Sequence, residues 1–461
     1  MNSERSQPSK YERFKIETDQ APHAFPIPNK FDVSARKVRL ATMLVHEALE
    51  YKLNKEVVLS RPCIYGVFGG RFGGFKPLKH KCVGCMRCVQ EYPHIMTVKL
   101  SENYQKLGDS FWTPEAVFTI WNEASTGKIP VKGMGYKGAF GGEGFEGIWT
   151  DMSEIVRPTR DGVYGREYIS TSVDVGRKPT RVDFSDTVNV PPTVRIPIPI
   201  IIDELPSETE TVRQAVKLAT EKLGTYYLSG KPAINAGKNI VPIAEEENLQ
   251  QVSEKRPSMI EYDSEKTDLF EKLANQPQTS IIIARVPLRE DSSDVACRLA
   301  REGVHGLHLY ADYHGQDYSS KPKHISNALR DVHQQLVREG LRDQITIIAS
   351  GGITLAEHVP KAIISGADLV GVDTTILVAL QAEFEGETRD RMNCQLKPRN
   401  IDPAWGAQRI VNLLGVWHDQ LIEILSAMGM RDVRRLRGDI GRSMMDAELR
   451  ELSFKGIPWA T

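Results

Sequence analysis

Between residues 196 and 372 the chain repeats one pattern, a short apolar run followed by a segment whose apolar residues recur at helical spacing. The runs fall at 196–202, 225–228, 240–243, 259–262, 281–286, 306–310, 345–349 and 369–372, and clear helical stretches lie at 211–223, 295–302, 325–339 and 356–364. Short apolar runs bounded by turn residues read as strands buried on both faces, and helical crossovers between them make neighbouring strands parallel. Eight such units close into a barrel more readily than they open into a sheet, so the expected fold class is α/β, a (β/α)8 TIM barrel over residues 191–390. From Asp402 the tail reads as helix. Asp402-Pro403 is a cap followed by a first-turn proline, and Ile410, Leu413, Leu414, Trp417, Leu421, Ile424 and Leu425 share one face. This C-terminal helical extension, 391–461, is expected to cover one end of the barrel or a neighbouring subunit.

A second pattern lies upstream. Cys82, Cys85 and Cys88 have the two-residue gaps with which thiolates wrap an iron–sulfur cluster, while Tyr92, before Pro93, stands where a bacterial ferredoxin run has its fourth cysteine. Gly84 leaves the intervening amides free to turn toward the sulfurs. Zinc is the competing ligand, although zinc sites are normally built from two separated pairs. Cys63, before the glycine-rich stretch 69–74, reads equally as the fourth cluster ligand or as an ordinary buried thiol. With it the expected cofactor is a 4Fe-4S cluster; without it, a 3Fe-4S cluster or a four-iron cluster with an outside ligand. The cysteines belong to an expected helical, ferredoxin-like unit, 34–132. In it Ser34 caps a helix carrying Val38, Leu40, Ala41, Leu44, Val45, Ala48 and Leu49, and Thr113-Pro114-Glu115 starts another.

Residues 1–33 are polar and aperiodic and read as a flexible arm, disordered or laid over a partner. A connector, 133–190, begins with a glycine-rich stretch that shows neither a phosphate loop nor a strand–GxGxxG–helix unit. The 461 residues carry 59 Lys and Arg against 60 Asp and Glu, a balance that marks no nucleic-acid partner. The basic run Arg431-Asp432-Val433-Arg434-Arg435-Leu436-Arg437 reads as a solvated helix end or subunit contact. Six cysteines, four of them close together, fit a reducing cytoplasm rather than a disulfide framework. No membrane insertion is expected, because no long apolar run or signal-like segment occurs.

Ala349-Ser350-Gly351-Gly352-Ile353 and Gly366-Ala367-Asp368-Leu369-Val370-Gly371-Val372-Asp373-Thr374 fall at the expected ends of the seventh and eighth strands. Backbone N–H groups of Gly351, Gly352, Asp373 and Thr374 would there form a phosphate cup, whose usual guest is FMN. The alternative is tight glycine turns without a ligand, and the carboxylate of Asp373 argues for it.

These residues, together with Thr159-Arg160-Asp161-Gly162-Val163-Tyr164-Gly165-Arg166, Trp405-Gly406-Ala407-Gln408-Arg409 and Met428-Gly429-Met430-Arg431, make the chain resemble the FMN domain of glutamate synthase, especially the archaeal-type and ferredoxin-linked forms. The resemblance implies a flavin barrel fed by iron–sulfur clusters, in which 2-oxoglutarate is aminated and the imine reduced. It also implies that Arg285 stands where the family has a flavin-contacting lysine. The chain departs from the pattern at Ile202-Asp203-Glu204-Leu205-Pro206, at Tyr226-Tyr227-Leu228-Ser229-Gly230-Lys231-Pro232 and at Asp312-Tyr313-His314-Gly315-Gln316-Asp317. Cys394 is what remains near a later cysteine cluster, and Asn2 follows Met1 where a glutaminase needs cysteine. His305, His308 and His314 read as surface or satisfied core residues, or as a new acid–base or metal set. The expected function is a glutamate synthase-like oxidoreductase passing electrons between cluster and FMN; the alternative is a non-catalytic electron-transfer or scaffolding subunit with a degenerate flavin site. Expected partners are a redox protein, ferredoxin or another electron-transfer subunit, within a homo- or hetero-oligomer.

Overall fold

A computed structural model describes residues 14–54, 57, 63–129, 144–150, 169–179, 191–230, 239–275, 280–439, 441 and 443–445. Readings placed on 1–13, 130–143, 159–168 and 231–232 lie outside the described residues. The chain divides into two units: residues 23–117, and residues 1–22 together with 118–461.

In the smaller unit, strand Phe31–Ala35 pairs antiparallel with Met96–Leu100. Phe31 and Val33 alternate with Asp32 and Ser34, so the period is two, and Ser34 lies opposite Thr97 instead of capping a helix. The helix starts later, at Lys37–Glu50, with Arg36 at its N-cap and no side-chain cap. Its buried side is also different from the expected one: Leu40 and Glu47 are buried, whereas Val38, Val45 and Leu49 are exposed. Phe31, Val33, Leu40, Cys63, Val67, Phe68, Met96 and Val98 form the core, and Cys82, Cys88 and Tyr92 pack against it.

The larger unit is a closed barrel of eight parallel strands in sequential order, Ile200–Ile202, Tyr227–Ser229, Ile240–Ala244, Met259–Asp263, Ile281–Pro287, Gly306–Tyr310, Thr346–Ser350 and Leu369–Val372. Val370 pairs with Ile200 to close it. The first apolar run is split by its prolines, which cannot donate to a ladder: Thr193–Ile196 pairs antiparallel with Val173–Gly176, and the barrel strand begins after Pro199.

The C-terminal helix Pro403–Ala427 opens with Asp402 accepting a hydrogen bond from Trp405 N. It packs along the barrel flank, against helix Glu210–Leu223, rather than over a barrel end; a Cβ on Gly406 would lie 2.8 Å from Ala215 Cβ. Residues 14–22, expected as a free arm, lie along this helix. Asn412 donates to Asp19 O and accepts from Asp19 N, and Trp405 Nε1 donates to Pro22 O. Two arginines of the basic run are held in ion pairs, Arg434 with Asp174 and Asp432, Arg437 with Asp343 and Asp368. Among the described residues no helix is long and apolar enough to cross a membrane.

Arg409 joins these segments. It is fully buried, its donors meet the carbonyls of Ala379, Ala21 and Trp121, and burial pushes its pKa down to about 10. Arg409→Ala strips three buried carbonyls of their donors and is expected to cost about 3 kcal/mol in chemical denaturation. A loss below about 1 kcal/mol would show that water takes over these carbonyls.

Candidate functional sites

The four thiols of Cys63, Cys82, Cys85 and Cys88 line one small apolar pocket, walled by Val33, Val67, Phe68, Val83 and Val98. Cys63 thus comes to the other three from a separate segment. Cys85 is exposed and Cys82 and Cys88 are half-buried, so one side of the pocket opens to solvent. Gly84, at φ +69°, and Met86, at φ +60°, bend the loop. The Gly84 backbone amide opposes the rise in the Cys82 pKa, and a Cβ on Gly84 would lie 2.3 Å from the Phe31 ring. Burial first, then the other thiols of the set, pushes Cys88 up to about 11 and raises Cys82. Such a set favours thiolates only when a positive centre sits among them.

No three of these four sulfurs lie within 4.8 Å of one another. A single tetrahedral zinc, with Zn–S of about 2.3 Å, draws its sulfurs to about 3.8 Å. Tyr92, at the missing-cysteine position, turns its hydroxyl to the carboxylate of buried Glu47.

At the C-terminal end of the barrel, Gly351, Gly352, Asp373 and Thr374 do come together at the ends of the seventh and eighth strands. The Thr374 amide, however, is already taken. Asp373 Oδ1 accepts from Thr374 N at 2.6 Å, filling the cup with its own carboxylate. The loop after the sixth strand lies tight on the two glycines: Cβ atoms there would be 2.5 Å from Asp312 O and 2.7 Å from Gly315 Cα. The carboxylate of Asp373 competes there with any anion.

Arg285 is equally engaged. Its Nη1 donates to Asp203 at 3.0 Å and to Glu261 at 2.9 Å. His308 bonds Glu261 through Nδ1, at 3.0 Å, and Ser350 Oγ through Nε2, at 2.7 Å. Gly371 leaves room for this set, since a Cβ there would meet Ser350 Cβ at 3.0 Å. Arg391, from the segment after the eighth strand, closes the end. It donates to Ala311 O, pairs with Asp203 and Asp373 at 3.4 Å, and lies over the rings of Tyr310 and Tyr313. Burial would raise Asp203, but Arg285, His308 and Arg391 outweigh it and hold that carboxyl well below its ordinary range. Asp373 goes the other way, pushed up to about 6 by burial, with Arg391 opposing and Asp203 adding to the rise.

The three histidines do not form one set. His308 lies in the network, His305 Nδ1 accepts from Ile282 N before the sixth strand begins, and His314 Nε2 meets Thr388 in a loop. Cys394 is half-buried and forms no disulfide among the described residues. The residue that sequence reasoning missed is Arg391, whose partners are distant along the chain and whose short flanking strands, Glu383–Phe384 and Leu396–Lys397, leave no periodic signal.

Comparison with known proteins finds similarity to glutamate synthases. Residues 311–431 match the model of the conserved region in glutamate synthase. An archaeal-type glutamate synthase [NADPH] of Dehalococcoides mccartyi is 24% identical over 79% of this chain and 87% of that protein. The archaeal glutamate synthase [NADPH] of Archaeoglobus fulgidus is 26% identical over 82% and 89%. That of Methanocaldococcus jannaschii is 36% identical over 28% of each chain. The recombinant flavin-binding domain of baker's yeast flavocytochrome b2 superposes with a TM-score of 0.44 at 12% identity, over 69% of this chain and 80% of that one, a likeness too loose to carry an argument.

The surplus carboxylate at the barrel end gives a pH signature. Asp373 has a folded pKa of about 6 against an ordinary 3.8, so between these values the folded chain holds a proton that the unfolded chain has lost. Wild-type stability therefore falls as pH rises through this window, by about 3 kcal/mol at most. Asp373→Asn keeps the acceptor for Thr374 N and lacks the titration. The stability of the variant relative to wild type should rise from pH 4 to pH 6 and level off above; a difference independent of pH would refute the surplus-charge reading.

Proposed function

We propose that this relative of the archaeal-type glutamate synthases is an iron–sulfur oxidoreductase subunit that binds one 4Fe-4S cluster through Cys63, Cys82, Cys85 and Cys88 and exchanges single electrons with a protein partner. The observation that carries the reading is the arrival of Cys63 at the pocket of the other three thiols. Four thiolates complete a cubane's ligation, and the wide sulfur spacing disfavours a lone zinc.

When bound, the cluster supplies one-electron chemistry. The chain's part is to hold and tune it. Val33, Val67, Phe68 and Val98 keep water from the inner side, and the Gly84 N–H stabilises charge on the Cys82 sulfur. Exposed Cys85 leaves one edge open to exchange. In the barrel, Arg285, Glu261, Asp203 and Arg391 satisfy one another, and no step is assigned to a flavin there.

A second reading, FMN at the barrel end, is favoured by the glycine pair Gly351-Gly352 at the end of the seventh strand and by the glutamate synthase relatives. It needs the Arg391 segment and the 311–316 loop to withdraw.

Anaerobic purification separates these readings. About four irons and four sulfides per chain, with a visible band bleached by dithionite and no stoichiometric flavin, are expected. Stoichiometric zinc without iron would overturn the cluster, and one extractable flavin per chain would establish the second reading. Cys63→Ala should leave a three-iron electron-spin-resonance signal in the oxidised protein. An unchanged four-iron spectrum would remove Cys63 from the ligand set.

A further inference from the structure

The thiol-bearing unit and the rest of the chain are oppositely charged. Residues 23–117 contain 14 Lys and Arg against 8 Asp and Glu, a formal charge of +6, whereas the other 366 residues contain 45 against 52, a formal charge of −7. From Arg61 to Gln90 there are 6 Lys and Arg and no carboxylate side chain at all. A charge run alone is usually a solvated face. Here the structure gathers it around a shape.

A groove of about 700 Å³ in this unit is lined by Lys37, Arg71, Lys76 and Lys79 together with Phe72 and Phe75, and no acidic side chain lines it. Phe72 is 59% exposed and Phe75 44% exposed, although each is large enough to be a core residue. Arg71 lies 5.8 Å over the Phe72 ring. Lys79 pairs with Asp32 at 2.8 Å, whereas Lys37 and Lys76 have no carboxylate partner among the described residues. Val33 is a wall of both this groove and the thiol pocket, so the two adjoin. On the pocket's rim Tyr65, Val83 and Met86 are exposed as well.

Exposed aromatics and Met beside Arg, with carboxylates depleted, is the composition of a protein interface centre. Unpaired cations around it select an acidic partner and steer its approach. We infer that this groove and its rim dock a small acidic one-electron carrier protein against the thiol pocket. The inference rests on the cluster reading above and adds the partner's chemistry and its place. One electron leaves the reduced carrier and enters the oxidised cluster; no atom and no proton is exchanged.

The test uses the full chain with its cluster loaded and an acidic plant-type ferredoxin as probe. Two quantities are read, the ferredoxin Kd and the rate of cluster reduction by reduced ferredoxin in stopped flow. Reduction should slow at least about tenfold between low and high salt. The triple variant Lys37→Glu, Arg71→Glu, Lys76→Glu should slow it at least about tenfold at low salt and lose most of the salt dependence. Its iron content and its reduction by dithionite should match wild type, which shows that the unit is folded and loaded. Phe72→Ala should weaken the Kd while leaving the salt dependence in place. A triple variant reduced as fast as wild type would overturn the docking site. So would NADPH reducing the cluster without a carrier, or displacing ferredoxin from the groove, since either assigns the surface to a nucleotide. The Kd is also measured on the cluster-free chain. Failure of the cluster reading therefore shows as missing iron with ferredoxin binding retained, and failure of docking as iron present with binding lost.

Discussion

Arg285 and Arg391 are taken out of water at the barrel end, and what keeps them there is the set of carboxylates they face. Isolated, each such charge would be costly to bury, and removing one partner would strand another. Two guanidinium groups balance Asp203 and Glu261, so Asp373 is the surplus acid, which is why its pKa climbs while that of Asp203 falls. The glycines respect the same constraint. Gly371 makes space for Ser350 and His308, and Gly351 and Gly352 allow the 311–316 loop to lie close. The end of the barrel where enzymes of this fold keep their chemistry is therefore filled by side chains that satisfy one another.

The two ends of the argument are unlike in one respect. At the thiol pocket the polar groups look inward to one another without a compensating charge, and burial plus mutual repulsion raises Cys82 and Cys88. Thiolates in such a set would need a cationic centre to offset their charge. At the barrel end both guanidinium groups already face carboxylates, Arg285 those of Asp203 and Glu261, Arg391 those of Asp203 and Asp373.

Much of this was legible in the sequence because buried parallel strands must be apolar on both faces, and all eight runs became barrel strands. The first was misjudged in extent because apolarity hid the ladder-breaking role of Pro197 and Pro199. Ser34 was misread because a helix cap and a strand residue look alike until the alternation Phe31, Val33, Ala35 is weighed against it. The four cysteines were visible from spacing, but the arrival of Cys63 needed the fold. Arg391 left no trace at all, since an arginine in a loop announces nothing until Asp203, far away along the chain, and Asp373 are seen beside it.

Residues 14–22 rest on the helix Pro403–Ala427, so the thiol-bearing unit is an insertion between two pieces of the barrel unit. During synthesis the inserted unit emerges whole and can close on its thiols early, whereas residues 14–22 find their backbone partners only in segments made after it, Ser125 first and the helix Pro403–Ala427 last. The order of assembly is thereby written into the connectivity: the inserted unit can close first, and the segment that precedes it is bound to the barrel unit afterwards.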